Sequence, residues 1–137
     1  MLLKYLLDTS IVIYAIRNRS KEVFDIFSRN VGKMAVSCIT EAELCYGVEQ
    51  SQKPIENGRI VEDFLSRLTL LPYDRKAANH FGDIKSDLTR RAVIVGENEI
   101  HIAAQARSQG LILVTNNLEK FRYIEGLRLE NWVDSAS

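Results

Sequence analysis

Position 8 carries an aspartate inside one of the most apolar stretches of the chain. Residues 4–7 (Lys-Tyr-Leu-Leu) precede it, and residues 9–13 (Thr-Ser-Ile-Val-Ile) follow it. A carboxylate buried in such surroundings is strongly destabilising unless charges or hydrogen bonds compensate it. Asp8 therefore has two open explanations: it caps a helix that begins near Thr9, or it belongs to a polar site in the interior.

Short apolar segments alternate with segments of helical periodicity along the chain. The strand candidates are residues 2–7, 34–37, 69–71, 111–114 and 127–129. The helix candidates are residues 11–17, 21–30, 40–50, 58–68, 74–91 and 98–108, with N-caps at Ser10, Ser20 and Asp74 and a stop at Gly110. This order predicts an α/β fold with parallel strands, right-handed crossovers and helices on both faces of the sheet.

Length and charge narrow the classes of protein to consider. A chain of 137 residues fits one compact domain, so residues 1–137 are expected to form a single domain. Lys plus Arg and Asp plus Glu both total 18, so a nucleic-acid contact would have to come from a local basic patch. No apolar run approaches the ~18 residues that a membrane span needs, and no secretory signal is recognisable. The expectation is a cytoplasmic protein without a membrane partner.

Oxygen-bearing side chains follow two of the predicted strands. Asp8 comes directly after the first strand, and Thr115, Asn116 and Asn117 follow the strand at 111–114. In open α/β sheets, sites form at the carboxyl ends of the strands, which brings these positions to one crevice. Hard divalent cations prefer oxygen ligands of this kind. The two asparagines have turn formation as their alternative explanation.

Two glutamates on predicted helices are further candidates for that crevice. Glu43 lies three residues after Thr40, which matches a capping box, but Gly47 one turn later leaves the open space that a pocket needs. Glu99 shares a helical face with small and apolar residues and is expected to point inward. Its alternative explanation is a favourable interaction with the dipole at the start of its helix.

Four segments in this order resemble the PIN-domain nucleases, and in particular the VapC toxins of bacterial toxin–antitoxin pairs. The segments are Asp8-Thr9-Ser10 after the first strand, residues 37–47, residues 96–104 and residues 113–117. Each motif is weak alone, whereas all four together with residues 126–132 extend the resemblance from residue 1 to Trp132.

The resemblance implies an α/β/α sandwich with a mainly parallel sheet and an Mg²⁺- or Mn²⁺-dependent ribonuclease activity. The acidic metal ligands of the family fall on Asp8, Glu43 and Glu99. Polar support falls on Thr9, Ser10, Thr115, Asn116 and Asn117. The resemblance also implies a homodimer and a cognate VapB-type antitoxin that blocks the acidic pocket and makes any contact with operator DNA. The implied substrate is a structured RNA such as transfer RNA.

The sequence departs from the family pattern at two of these positions. Glu99 stands where the family normally has Asp, and Ser10 stands where Asn is usual. One extra methylene moves a carboxylate by about 1.5 Å. Magnesium demands near-octahedral geometry, and a misplacement of about 1 Å can slow a reaction on the order of a hundredfold. The sequence therefore predicts a folded protein that still binds antitoxin but cleaves RNA more slowly.

Two other functions compete with a nuclease. The first is a catalytically degenerate PIN domain that binds RNA or a protein partner, which Glu99 favours. The second is another enzyme with an aspartate at a strand end, such as a phosphatase of the haloacid-dehalogenase type. That type needs Asp-X-Asp, whereas Ser10 occupies the second acidic position here. The pattern therefore favours the nuclease.

Overall fold

A computed structural model describes residues 2–133. The strands are β1 (Tyr5–Leu7), β2 (Met34–Ser37), β3 (Thr69–Leu71), β4 (Ile112–Val114) and β5 (Leu129–Glu130). The helices are α1 (Thr9–Arg17), α2 (Lys21–Arg29), α3 (Cys38–Glu49), α4 (Pro54–Leu65), α5 (Arg75–Arg90) and α6 (Glu97–Ser108), and a short 3-10 turn covers Leu118–Lys120. None of the helices in this range has the length and apolar character that a membrane crossing requires.

The five strands form one sheet in the order β3-β2-β1-β4-β5, and every pair is parallel. β1 lies at the centre, where Leu6 is in register with Ala35 of β2 and Leu113 of β4. The three central strands β2, β1 and β4 are buried on both faces, and such strands read as largely continuous apolar runs without alternation. The predicted α/β class with parallel pairing is confirmed.

Helices cover both faces of the sheet. Alternate residues of a strand point to opposite faces. Leu6 packs in one apolar cluster with Ile84 of α5 and Ile102 of α6. Its neighbour Leu7 packs in a second cluster with Val12 of α1. The layers are therefore helix, sheet and helix, which confirms the sandwich that the resemblance implied.

Several helix and strand boundaries differ from the predicted ones. β1 begins at Tyr5 rather than at residue 2, and α4 begins at Pro54 rather than at Gly58. Proline at the first helical position has no amide hydrogen to leave unpaired and has its φ already set for a helix, so it starts α4 well. Gly110 follows α6 with a φ of +67°, the left-handed conformation that ends a helix, as predicted.

Two predicted N-caps are wrong, and both corrections concern the candidate site. α1 is capped by Asp8 and not by Ser10. α3 is capped by Ser37, whose side chain accepts a hydrogen bond from the Ile39 amide, and not by Thr40. Helix α3 therefore begins directly at the end of β2, and Thr40 lies inside its first turn.

Candidate metal centre

Asp8 lies at the carboxyl end of the central strand, where it performs two structural functions. Its amide donates to the Val114 carbonyl oxygen at 3.0 Å, which continues the β1–β4 ladder. Its Oδ1 accepts from the Ile11 amide at 2.9 Å and so caps α1. The Ser10 hydroxyl lies 2.9 Å from both carboxylate oxygens. The capping explanation is thus correct, and the carboxylate that caps the helix also lies at the end of the strand.

The Asp8 carboxylate is buried, and no Lys or Arg within residues 2–133 forms an ion pair with it. The residue is only 4% exposed. Burial raises the pKa of its carboxyl above the usual 3.8, while hydrogen bonds from Thr115, Ile11 and Ser10 and the positive charge of Lys120 lower it. Since burial is the larger effect, these contacts do not fully compensate the charge. A buried carboxylate of this kind is strongly stabilised by a positive charge close to it.

Glu43 is linked to the same strand end through Thr9. The Thr9 hydroxyl oxygen lies 2.7 Å from Glu43 Oε1 and 2.9 Å from the hydroxyl oxygen of the buried Thr40. An ionised carboxylate only accepts hydrogen bonds, so the Thr9 proton is donated to Glu43. The capping-box explanation of Glu43 is therefore wrong: its carboxylate contacts the residue that follows Asp8 instead of the start of its own helix.

The segment after β4 contributes through Thr115. Its side chain is fully buried, and its Oγ1 lies 3.5 Å from Ser10 Oγ. Thr115 Oγ1 also accepts from the Asn117 amide at 2.9 Å, which shapes the turn after the strand. Asn116 and Asn117 lie half-buried beside it. The hydrogen bond that ties Asn117 to this turn comes from its backbone amide, and Thr115 supplies the side chain.

Glu99 is the third residue of α6, and its side chain turns back toward the start of that helix. A Cβ added to Gly96 would lie 2.6 Å from Glu99 Oε2, so the carboxylate rests against the Gly96 backbone. Glu99 Oε1 pairs with Lys120 Nζ at 3.4 Å, and the glutamate side chain is 28% exposed. The Glu99 side chain is therefore folded back over Gly96 and stabilised by an ion pair with Lys120.

The oxygen donors of this crevice suit a hard cation in their chemistry. Asp8, Ser10 and Thr115 form one group of contacts, and Thr9 joins Glu43 and Thr40 in another. Within residues 2–133, no three His, Cys, Asp or Glu side chains lie close enough together to hold a metal ion as they stand. Mg²⁺ commonly takes one or two protein carboxylates and keeps several waters, so the residues present fit such an ion.

The sequence pattern does not identify three residues of this region as part of the site. It favours Thr40 as a helix cap and includes Gly96 only in a motif. It gives no indication of Lys120, because the position of Lys120 beside Glu99 depends on the 3-10 turn at Leu118–Lys120. Nothing in the local sequence indicates that turn's direction. The sequence does contain one signal for Thr40. If Ser37 is taken as the helix cap, Thr40 and Glu43 lie one turn apart on the same face of α3.

A separate apolar groove of about 480 Å³ lies between α1, α2 and α4. It adjoins Ala15 and Ile16 near the end of α1, whereas Asp8 caps the start of that helix. Phe24 in this groove is 71% exposed, which is unusual for so large an apolar side chain. The other lining residues are Arg19, Ser20, Val23, Phe27, Ser28, Val31, Met34, Ile60, Asp63, Phe64, Arg67 and Leu68.

Comparison with known proteins gives consistent matches over nearly the whole chain. The model of the PIN domain matches residues 5–127. The chain is 57% identical to Ribonuclease VapC2 of Haemophilus influenzae over 132 residues, covering 96% of this chain and 100% of that protein. It is 46% identical to the tRNA(fMet)-specific endonuclease VapC of Shigella flexneri, covering 96% and 99%. Among solved structures, DNA-bound VapBC from Salmonella typhimurium superposes with a TM-score of 0.94 at 44% identity, covering 96% and 99%.

Proposed function

The chain belongs to the PIN-domain family, among the VapC ribonucleases, and we propose that it is a metal-dependent endoribonuclease whose metal ligands are Asp8, Glu43 and Glu99. The observation that carries the proposal is the buried Asp8 carboxylate, whose pKa is raised because burial disfavours its charged form. A divalent ion beside Asp8 would supply that charge. Glu43, held by Thr9 at 2.7 Å, is the second carboxylate at the same strand end.

The hydrogen bonds around the carboxylates favour fixed positions for the ligands. Ser10 and the Ile11 amide orient Asp8, and Thr9 orients Glu43. Thr115 supports Ser10 from the neighbouring strand. Such outer contacts tune a metal site strongly, because they set the direction and basicity of each ligand. Asn116 and Asn117 follow Thr115 in the turn after β4.

The proposed reaction is hydrolysis of an RNA phosphodiester. When bound, the Mg²⁺ or Mn²⁺ ion supplies Lewis-acid stabilisation of the developing charge and lowers the pKa of water. A site carboxylate accepts a proton as water attacks phosphorus, and the bond to the 3′-oxygen breaks. This route leaves a 5′-phosphate and a 3′-hydroxyl, and it does not use the RNA 2′-hydroxyl.

We propose a structured RNA, and specifically transfer RNA, as the substrate. The support is the similarity to the Shigella flexneri protein, which is named a tRNA(fMet)-specific endonuclease. The chain has no excess of positive charge, so contacts with the RNA backbone would come from local Lys and Arg residues near the site. An unpaired loop fits a narrow crevice better than a duplex does, because its nucleotides can be splayed out.

We also propose that the activity is controlled by a VapB-type antitoxin that occupies the apolar groove between α1, α2 and α4. The similar Salmonella typhimurium structure is a DNA-bound VapBC complex, so a partner chain accompanies that protein. An exposed apolar groove with Phe24 at its surface suits the apolar face of a partner helix. Contact with operator DNA would then be made by the antitoxin, and the toxin is expected to be a homodimer within the assembly.

Cleavage assays with defined ends test the enzymatic proposal. The purified protein and an Asp8→Asn variant are incubated with transfer RNA, including initiator transfer RNA, in Mn²⁺ or in EDTA, and the new ends are sequenced. Asp74→Asn is the matched control, since Asp74 caps α5 as Asp8 caps α1 but lies outside the site. Cleavage that needs Mn²⁺ and Asp8, and that leaves 5′-phosphates, is expected. Products with 2′,3′-cyclic phosphates would contradict the mechanism.

The second candidate function is a degenerate PIN domain that binds RNA or protein without turnover. The ion pair between Glu99 and Lys120 favours it, because a carboxylate committed to an ammonium is less available to a metal ion. The same assay separates the two functions. RNA binding without any Mn²⁺-dependent product, in the wild type and in Glu99→Asp alike, would establish the non-catalytic alternative.

A further inference from the structure

Lys120 places a positive charge beside Glu99 that also acts on Asp8. It is the last residue of the 3-10 turn that follows Thr115, Asn116 and Asn117. Its ammonium nitrogen lies 3.4 Å from Glu99 Oε1, and its side chain is 52% exposed. The turn after β4 thus brings a cation to the third of the proposed acidic ligands.

The charge of Lys120 also reaches Asp8. It is the one charged side chain among the influences on the pKa of that carboxyl, and it acts against the effect of burial. No Lys or Arg within residues 2–133 forms an ion pair with Asp8 or Glu43. Lys120 is therefore a cation that acts on both Glu99 and Asp8.

We propose that Lys120 is the resident cation of the metal-free site, and that its ammonium must leave Glu99 before a divalent ion can bind. This inference rests on the proposed metal-dependent function. Lys120 is then a positioning residue that holds Glu99 and lowers the affinity of the site for the ion. It is neither a metal ligand nor a catalytic residue. Lysine has three donors and no acceptor, so it cannot itself bind a metal while charged.

The exchange is physically reasonable because the ion pair is exposed and flexible. A half-exposed Lys–Glu pair is held weakly, since water screens the attraction and ordering both side chains is unfavourable. The lysine stem has many rotatable bonds and can swing into solvent. A divalent ion, in contrast, carries twice the charge and would interact with the buried Asp8 as well. The pair therefore raises the concentration of metal at which the site fills without preventing it from filling.

Metal titration of matched variants tests the role of Lys120. Mn²⁺ binding is measured by isothermal titration calorimetry and by loss of the free Mn²⁺ paramagnetic resonance signal, in the absence of RNA. Lys120→Met keeps the length of the side chain and removes its charge. Lys85→Met is the matched control. Lys85 forms a comparable pair at 2.9 Å with Glu97, which lies on α6 as Glu99 does, but Lys85 is not among the groups that shift the pKa of Asp8.

The expected result is that Lys120→Met binds Mn²⁺ about three- to tenfold more tightly than the wild type, since one repulsive charge is removed. Lys85→Met should bind Mn²⁺ as the wild type does. In thermal unfolding, Mn²⁺ at a fixed concentration should raise the melting temperature of Lys120→Met more than that of the wild type.

Two other outcomes overturn the inference in distinguishable ways. If the wild type binds Mn²⁺ and Lys120→Met binds it equally or less tightly, Lys120 does not compete with the ion, and the metal-dependent function stands. If neither protein binds Mn²⁺, the proposed metal dependence falls together with the role of Lys120.

Discussion

The Glu99 carboxylate rests against the backbone of Gly96, three residues earlier at the start of α6. The contact is so close that a Cβ on Gly96 would lie 2.6 Å from Glu99 Oε2. The side chain of Glu99 is thus accommodated by folding back over a residue that has no side chain. In this position the carboxylate pairs with Lys120, whose ammonium nitrogen lies 3.4 Å from Glu99 Oε1.

Glu99→Asp is expected to increase the rate of RNA cleavage. The shorter side chain cannot fold back as far, and its carboxylate would extend from α6 at the shorter reach of the aspartate that the resemblance implies. Because misplacement of a ligand by about 1 Å costs on the order of a hundredfold, we expect a gain of about ten- to a hundredfold in kcat/KM with Mn²⁺. Glu97→Asp, on the same turn but paired with Lys85, is the control. An unchanged rate for Glu99→Asp would show that the extra methylene of Glu99 does not limit the rate of RNA cleavage.

Asp8→Asn is expected to abolish cleavage and to stabilise the metal-free protein at neutral pH. Activity should fall by more than about a hundredfold, since even the outer partners of a metal ligand contribute about 10- to 100-fold. Asparagine is also a good N-cap, so the start of α1 should be preserved.

The pH dependence of this stability follows from the direction of the pKa shift. Burial raises the pKa of Asp8 in the folded state above its usual value of 3.8. The protonated form is therefore the one that favours folding, and its contribution is present below pH 3.8 and lost as the pH rises through the raised pKa. Thermal unfolding in EDTA should show Asp8→Asn above the wild type at pH 7, with the difference shrinking in acid. A variant that melts lower at neutral pH would contradict this.

Thr9→Val is expected to weaken metal binding and to slow cleavage by about 10- to 100-fold. The substitution keeps the shape of the side chain but removes the hydroxyl that holds Glu43 at 2.7 Å and contacts Thr40 at 2.9 Å. Thr9→Ser retains the hydroxyl and should remain within a few-fold of the wild type. Calorimetric Mn²⁺ affinity and cleavage rates check the pair. Equal losses in both variants would indicate a packing effect instead of a hydrogen bond.

Phe24→Ser is expected to weaken antitoxin binding without changing RNA cleavage. Phe24 is 71% exposed in the apolar groove, so its loss should remove a contact with the partner and little from the core. We expect a loss of at least about tenfold in affinity for the antitoxin co-expressed with the protein, measured by surface plasmon resonance. Tyr46→Ser is the control, since Tyr46 is a similarly exposed aromatic residue outside the groove. If Tyr46→Ser weakens antitoxin binding as much as Phe24→Ser does, the groove is not the specific binding site of the antitoxin.

The sequence predicted those parts of the site that depend on topology. Asp8 and Thr115 follow apolar strands, and parallel strands bring their carboxyl ends to one edge, so their meeting could be inferred without coordinates. The role of Glu43 was obscured because Thr40 and Glu43 fit a capping pattern that Ser37 in fact fulfils through the Ile39 amide. Two candidate caps three residues apart cannot be separated by local pattern alone.

The directions of the side chains in the site cannot be predicted from the sequence. The helical face of Glu99 was identifiable, but the path of its carboxylate depends on the bare backbone of Gly96 and on the ammonium of Lys120, which arrives from a turn 21 residues later. Rotamer choice at a partly exposed position depends on such distant neighbours, and helical periodicity contains no information about them.

The position of β1 between β2 and β4 has a consequence for the synthesis of this protein. Asp8 is made well before Val114, yet its amide binds the Val114 carbonyl oxygen and its companion Ser10 lies beside Thr115. A ribosome must therefore translate the segment from β1 to β4 before the strand that completes the crevice emerges. A nascent or prematurely terminated chain that stops short of β4 leaves Asp8 at an open sheet edge, so the crevice is assembled only in chains that contain β4.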